Sequence, residues 1–140
     1  MFNGWQFKSV AAAVAAVFTT LIGGWDILAQ ALVALIALDV GGGLVRAFYD
    51  KKLNSTIMRH GLLRKSGYFA AIMLGVLVDR ALFHGAPAFR TLILSYLCVN
   101  EALSILEHLA AIGVPLPAQL RAALERVRKE LETHEPDRQS

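Results

Sequence analysis

The chain has 140 residues, enough for one domain and one core. It is 56% hydrophobic and 18% charged, against a usual charged share of about 25%, with a mean hydropathy of +0.51; this composition points to a membrane protein rather than a water-soluble bundle. The net charge of +3 is not a diffuse basic surface, because six of the fourteen Lys and Arg lie between Arg46 and Lys65 and five between Arg121 and Arg138. No aromatic-plus-basic pattern for nucleic acid accompanies them, and the single Cys98 excludes a disulfide framework within the chain and reads as a packing residue.

Residues 5–22 are apolar apart from Gln6, Lys8, Ser9, Thr19 and Thr20, and about 18 residues suffice to span a bilayer. Lys8 is close enough to the end to snorkel and Trp5 is placed for the interface. A cleaved signal peptide is the competing reading, disfavoured by a positive region of one Lys and by the apolar segment that follows. Gly23-Gly24-Trp25-Asp26 is a tight turn with an interfacial aromatic. A second apolar helix is predicted over 27–48, with Asp39 deep inside it and Gly41, Gly42 and Gly43 following directly. The glycines read as helix-packing positions where another backbone approaches closely; a helix break lining a cavity is the alternative.

Residues 49–67 are polar and basic. Leu53, Ile57, Met58, Leu62 and Leu63 are spaced for a short amphipathic helix lying in the headgroup layer. Lys51, Lys52, Arg59, Arg64 and Lys65 would then meet lipid headgroups, and His60 reads as solvated or interfacial. The third apolar helix is predicted over 68–83, with Asp79-Arg80 near its far end, self-neutralising or interfacial. His84-Gly85-Ala86-Pro87 is a turn, and Pro87 suits the start of the next helix.

The fourth helix, 89–112, is long enough to span yet carries Asn100, Glu101, Ser104, Glu107 and His108. At 100° per residue these five fall within an arc of roughly 120°. The stripe must face other helices or water, since a carboxylate facing hydrocarbon costs about 2.5–3.5 kcal/mol even on the lenient insertion scale. Gly113-Val114-Pro115-Leu116-Pro117 ends this helix. In 118–131, Leu120, Leu124, Val127 and Leu131 make one apolar face among charged ones, which predicts an amphipathic helix docked on the bundle or on the membrane surface. Residues 134–140 read as frayed.

The predicted fold is therefore all-α: an integral membrane bundle of four transmembrane helices in residues 1–113, with a basic interfacial segment between helices 2 and 3, and a cytoplasmic tail, 114–140, with one amphipathic helix. Four spans with short turns put Lys8, the middle segment and the tail on one side. Twelve basic residues collect there against Arg80 and Arg90 opposite, a positive-inside asymmetry that places both termini in the cytoplasm.

No catalytic pattern stands out: H-E-x-x-H, P-loop, G-x-S-x-G and C-x-x-C are all missing. Glu101, Glu107 and His108 lack the Glu-x-x-His spacing of di-metal bundles. No catalytic, cofactor or metal residue is expected, and the chain does not read as an enzyme. Intramembrane ionisable groups usually carry function. Asp39, Glu101 and Glu107, with Asn100 and Ser104, are the candidates for pore-lining or inter-helix polar contacts. In a single copy they must bury against one another; in a homo-oligomer they could line water, which relieves the desolvation cost.

The chain resembles the small four-span holins of phage lysis and toxin secretion. The resemblance rests on Gly23-Gly24-Trp25-Asp26, on Asp39 followed by Gly43, on Lys51-Lys52-Leu53, and on Gly61-Leu62-Leu63-Arg64-Lys65. Most specific is Asn100-Glu101-Ala102-Leu103-Ser104-Ile105-Leu106-Glu107 with Gly113-Val114-Pro115-Leu116-Pro117 downstream. The resemblance covers residues 23 to about 125 and departs at Val40-Gly41-Gly42, where relatives commonly carry an aromatic residue and Thr. It implies a protein that accumulates in the bacterial inner membrane, oligomerises in the lipid bilayer and opens lesions. An endolysin or toxin is then released without direct contact. A small transporter or ion channel, or a scaffold recruiting a partner through 118–131, are the alternatives.

Overall fold

The structure, a computed structural model, describes residues 3–133. Five α-helices make up the described residues, with no strand among them: α1 Gly4–Leu21, α2 Ile27–Tyr49, α3 Ser55–Leu82, α4 Ala88–Ala111 and α5 Ala118–Thr133. Residues 134–140, expected to be frayed, lie outside the described residues.

The largest departure from the sequence reading is α3. The basic segment is not a separate interfacial helix: from Ser55 onward it is the first half of one helix of 28 residues. The Asn54 side chain accepts from the Thr56 N–H at 3.0 Å and starts the helix there. Between it and Tyr68 stand only Gly61 and Gly67 and no proline. A helical glycine costs about 1 kcal/mol relative to alanine, whereas a break would orphan four N–H and four C=O groups. The helix therefore runs through. At 1.5 Å per residue it is about 42 Å long, more than the ~30 Å of bilayer hydrocarbon.

Three helices, α2, α3 and α4, are long and apolar enough to cross a membrane. The fourth expected span, α1, is not among them; it has 18 residues, with Gln6 and Lys8 in its first two turns. α4 is the central element and packs against α2, α3 and α5. The core is small: Ile22, Leu32, Ile72, Leu94 and Leu97, flanked by Leu28, Ile36, Tyr68, Phe69, Ile93 and Tyr96. α3 and α4 cross closely at Gly75, where a Cβ would stand 2.8 Å from Ile93 Cδ1 and 3.2 Å from the Arg90 backbone. α1 buries no residue of its own and is tied in by Ile22 and by the edge of Phe18 on Phe69, with ring centres 5.3 Å apart. α5 runs antiparallel along α4. Arg121 Nη2 lies 3.5 Å from Glu107 Oε1, the Tyr96 hydroxyl lies 3.5 Å from Glu132 Oε1, and no α5 residue is buried.

The two tight turns are joined by charge. Arg90, 5% exposed, donates from Nε to the Ile22 carbonyl at 2.6 Å, from Nη1 to Asp26 Oδ2 at 2.7 Å and from Nη2 to the Gly24 carbonyl at 2.9 Å. Gly23, with φ +80°, leaves room for this: a Cβ there would stand 2.7 Å from the Arg90 side chain. Asp79 does not neutralise Arg80. Its carboxylate accepts the Phe89 and Arg90 N–H groups at 2.8 and 2.9 Å, capping α4 from across the turn, while Arg80 donates to the Thr20 carbonyl at 3.2 Å. Asp26 also caps α2 through the Ala29 N–H at 3.0 Å.

Two outcomes follow for the purified protein in detergent. Arg90→Leu leaves three acceptors without their donor and should lower the unfolding free energy by about 2–3 kcal/mol in a denaturant titration. The Arg90 guanidinium holds the Asp26 carboxyl at about 2, below its ordinary 3.8. A depressed carboxyl stabilises the fold above its unfolded value, so this contribution is intact above about pH 5 and is lost as pH falls toward 2. Asp26→Asn should flatten that part of the acid limb of a stability–pH curve.

Candidate functional site

Within the apolar bundle sits a group of charges drawn from all three long helices. Asp39 projects from the middle of α2 and is 6% exposed; Glu101, on α4, is 2% exposed. Between them lies Lys65 of α3. Its Nζ is 2.7 Å from Asp39 Oδ2 and is also hydrogen-bonded to Glu101 Oε2. The Tyr68 hydroxyl donates to Glu101 Oε1 at 2.8 Å and accepts from Asn100 Nδ2 at 3.3 Å. His108 Nε2 lies 3.3 Å from Asp39 Oδ1.

The spacing explains the convergence. Lys65 and Tyr68 are three residues apart and share one face of α3; Glu101 and His108 are seven apart and share one face of α4. α2 supplies Asp39 and, one turn on, Gly42 and Gly43. A Cβ at Gly42 would stand 3.5 Å from the His108 side chain, and at Gly43 3.3 Å. Gly43 thus makes room for the imidazole beside Asp39, Gly42 lies in ordinary contact with it, and Gly41 faces open space.

Lys65, expected at the headgroups, is turned inward. The reason is the continuity of α3: once Ser55 to Tyr68 is one helix, Lys65 falls on the same face as Tyr68 and points at α2 and α4. Lys51, Lys52, Arg59 and Arg64 are exposed. Asp39, Asn100 and Glu101, singled out from sequence, are brought together. Ser104 is half-buried on α4, and Glu107 is exposed, facing Arg121 instead. Tyr68 was missed. The signal for Lys65 and Tyr68 was their three-residue spacing, legible only if the helix runs through Gly67.

Two carboxylates share one lysine, so the group holds one more carboxylate than ammonium. Burying such charges is tolerable only because each has a partner; removing one strands the others. Among the described residues no three His, Cys, Asp or Glu side chains are arranged to hold a metal ion. The arrangement is a cross-link between helices, able to change by exchanging partners or admitting water. Lys65→Met should therefore destabilise the purified protein by about 3–5 kcal/mol. Combining it with Asp39→Asn and Glu101→Gln should recover most of the loss, read by denaturation in detergent.

The bacteriophage holin family matches residues 16–129. An uncharacterized protein of Clostridium perfringens strain 13 is 39% identical over 110 residues, covering 79% of this chain and 82% of the relative. An uncharacterized protein of Bacillus subtilis is 35% identical over 102 residues, covering 72% and 71%. A probable holin of Bacillus phage phi105 is 32% identical over 88 residues, covering 62% and 64%. No solved structure is significantly similar to the chain. With three helices able to cross a membrane and a family match over most of its length, this chain belongs to the bacteriophage holin family.

Proposed function

We propose that the chain is a pore-forming, non-enzymatic holin of the bacterial inner membrane. It accumulates as dispersed copies, oligomerises, and opens lesions through which an endolysin or toxin leaves the cytoplasm without binding the holin itself. The observation that carries this reading is the set of ionisable groups closed on one another inside apolar helices. In one copy Lys65 bridges Asp39 and Glu101, so the monomer can sit in lipid without leaking. The pairing leaves an excess of carboxylate over ammonium, and that excess is best accommodated where water reaches it. Assembly supplies such water if α2 and α4 of several copies turn this face toward a common lumen.

In the proposed topology α1 is the fourth span. Its 18 residues are about 27 Å long, near the lower limit for crossing, and Val10, Val14, Val17 and Leu21 are exposed for lipid. An even number of spans leaves both termini and the α2–α3 connection on the cytoplasmic side, with the basic residues.

Glu101→Leu removes the surplus carboxylate and leaves Lys65 paired one-to-one with Asp39. It should favour the closed form and delay or abolish lysis on induced expression in bacteria. The measurement is culture turbidity and release of a cytoplasmic enzyme, with and without a co-expressed muralytic enzyme, at matched membrane levels of holin. Normal timing at normal levels would remove this stripe from the mechanism, and leakage of ions without proteins would indicate a channel rather than a holin.

A further inference from the structure

A cleft of about 550 Å³ opens between the second half of α2 and the first half of α3, within the size range of small-molecule sites. It exists because α3 leans on α4 while α2 and α3 share little contact. Its walls are apolar, formed by Val40 and Leu44 on one side and by Ile57, Met58 and Leu62 on the other. Its rim carries Lys52 and Arg59, both exposed. At its base are Asp39, Lys65 and His108, where Lys65 is shared between Asp39 and Glu101. Asp50, next to the rim in sequence, faces Arg46 at 3.6 Å. The charge at the rim, from Lys52 and Arg59, is therefore positive.

Position along the membrane matters as much as charge. α3 exceeds the hydrocarbon thickness by about 12 Å, and its Leu82 end is tied to α4 by the Asp79 cap. The surplus length therefore lies at the Ser55 end. About the first eight residues of α3, with Ile57, Met58, Arg59 and Leu62 among them, then stand at headgroup level, and the cleft descends past Leu44 and Val40 toward the hydrocarbon.

We propose that this cleft is a binding site for one anionic phospholipid, with its phosphate held by Lys52 and Arg59 and an acyl chain laid between Leu44 and Leu62. The proposal rests on α2 and α3 lying in a membrane and not on lesion formation, and its readout is lipid retention rather than lysis.

The test is native mass spectrometry of the full chain, delipidated in detergent and offered equimolar phosphatidylglycerol and phosphatidylcholine with matched chains. A headgroup-level cation is worth about fivefold in anionic-lipid affinity, so wild type should retain phosphatidylglycerol in preference by about tenfold or more. Lys52→Gln with Arg59→Gln should bring the ratio close to one. Gly61→Leu is the decisive variant: Gly61 lines the cleft and a Cβ there meets nothing within 4 Å, so the larger side chain fills the space while every charge remains. It should lower retention about tenfold with helix content unchanged. Equal retention of the two lipids by wild type, or undiminished retention by Gly61→Leu, would overturn the site in favour of diffuse surface attraction. Displacement of the lipid by millimolar glycerol phosphate would overturn it in favour of a soluble phosphate ligand.

Discussion

One ammonium group holds three long apolar helices together. Lys65 reaches from α3 to a carboxylate on α2 and another on α4, so three helices with little apolar core between them share one electrostatic centre. In water such a pair would be worth little. Away from water the same contacts are demanding, since each partner is tolerable only while the others are present. The identity of the neighbours follows from that demand: glycine on α2 to admit an imidazole, tyrosine on α3 to occupy the second oxygen of Glu101, asparagine on α4 to orient the phenol.

The opposite end is built on the same logic, again around a single cation. There a buried arginine, Arg90, collects two backbone carbonyls and the Asp26 carboxylate, and Asp79 covers the first N–H groups of α4. Between these two charged ends the apolar contacts are few: five side chains form the buried core cluster. The protein is therefore stapled at its ends rather than filled in its middle. A bundle of this kind can repack its flanks against lipid or against other copies without first dismantling a large core.

Much of this was legible in the sequence. The all-helical fold, the turns at Gly23 and Gly85 and the depth of Asp39 and Glu101 follow from hydropathy, glycine placement and 3.6-residue spacing. The partner of the carboxylates was not, because a lysine in a basic stretch reads as a headgroup contact unless the helix is known to continue through it. Local composition favoured a break after the charged segment; the absence of proline and the cost of eight unpaired backbone groups favoured continuity. Arg90 and Asp79 escaped for another reason. Each acts on a segment more than nine positions away, and only the fold brings those segments together.

The position of α5 has a consequence for the neighbourhood of α4. It folds back from Glu107 as far as Tyr96, close to the midpoint of a helix able to cross the bilayer, and Arg126, Lys129 and Glu132 on it are exposed. Hydrocarbon cannot cover those side chains at that depth. Lipid along that side of α4 and a seated α5 are thus mutually exclusive: either water borders the flank, or the last helix lets go when acyl chains arrive. The same strip of α4 is dry or wet according to where sixteen residues lie.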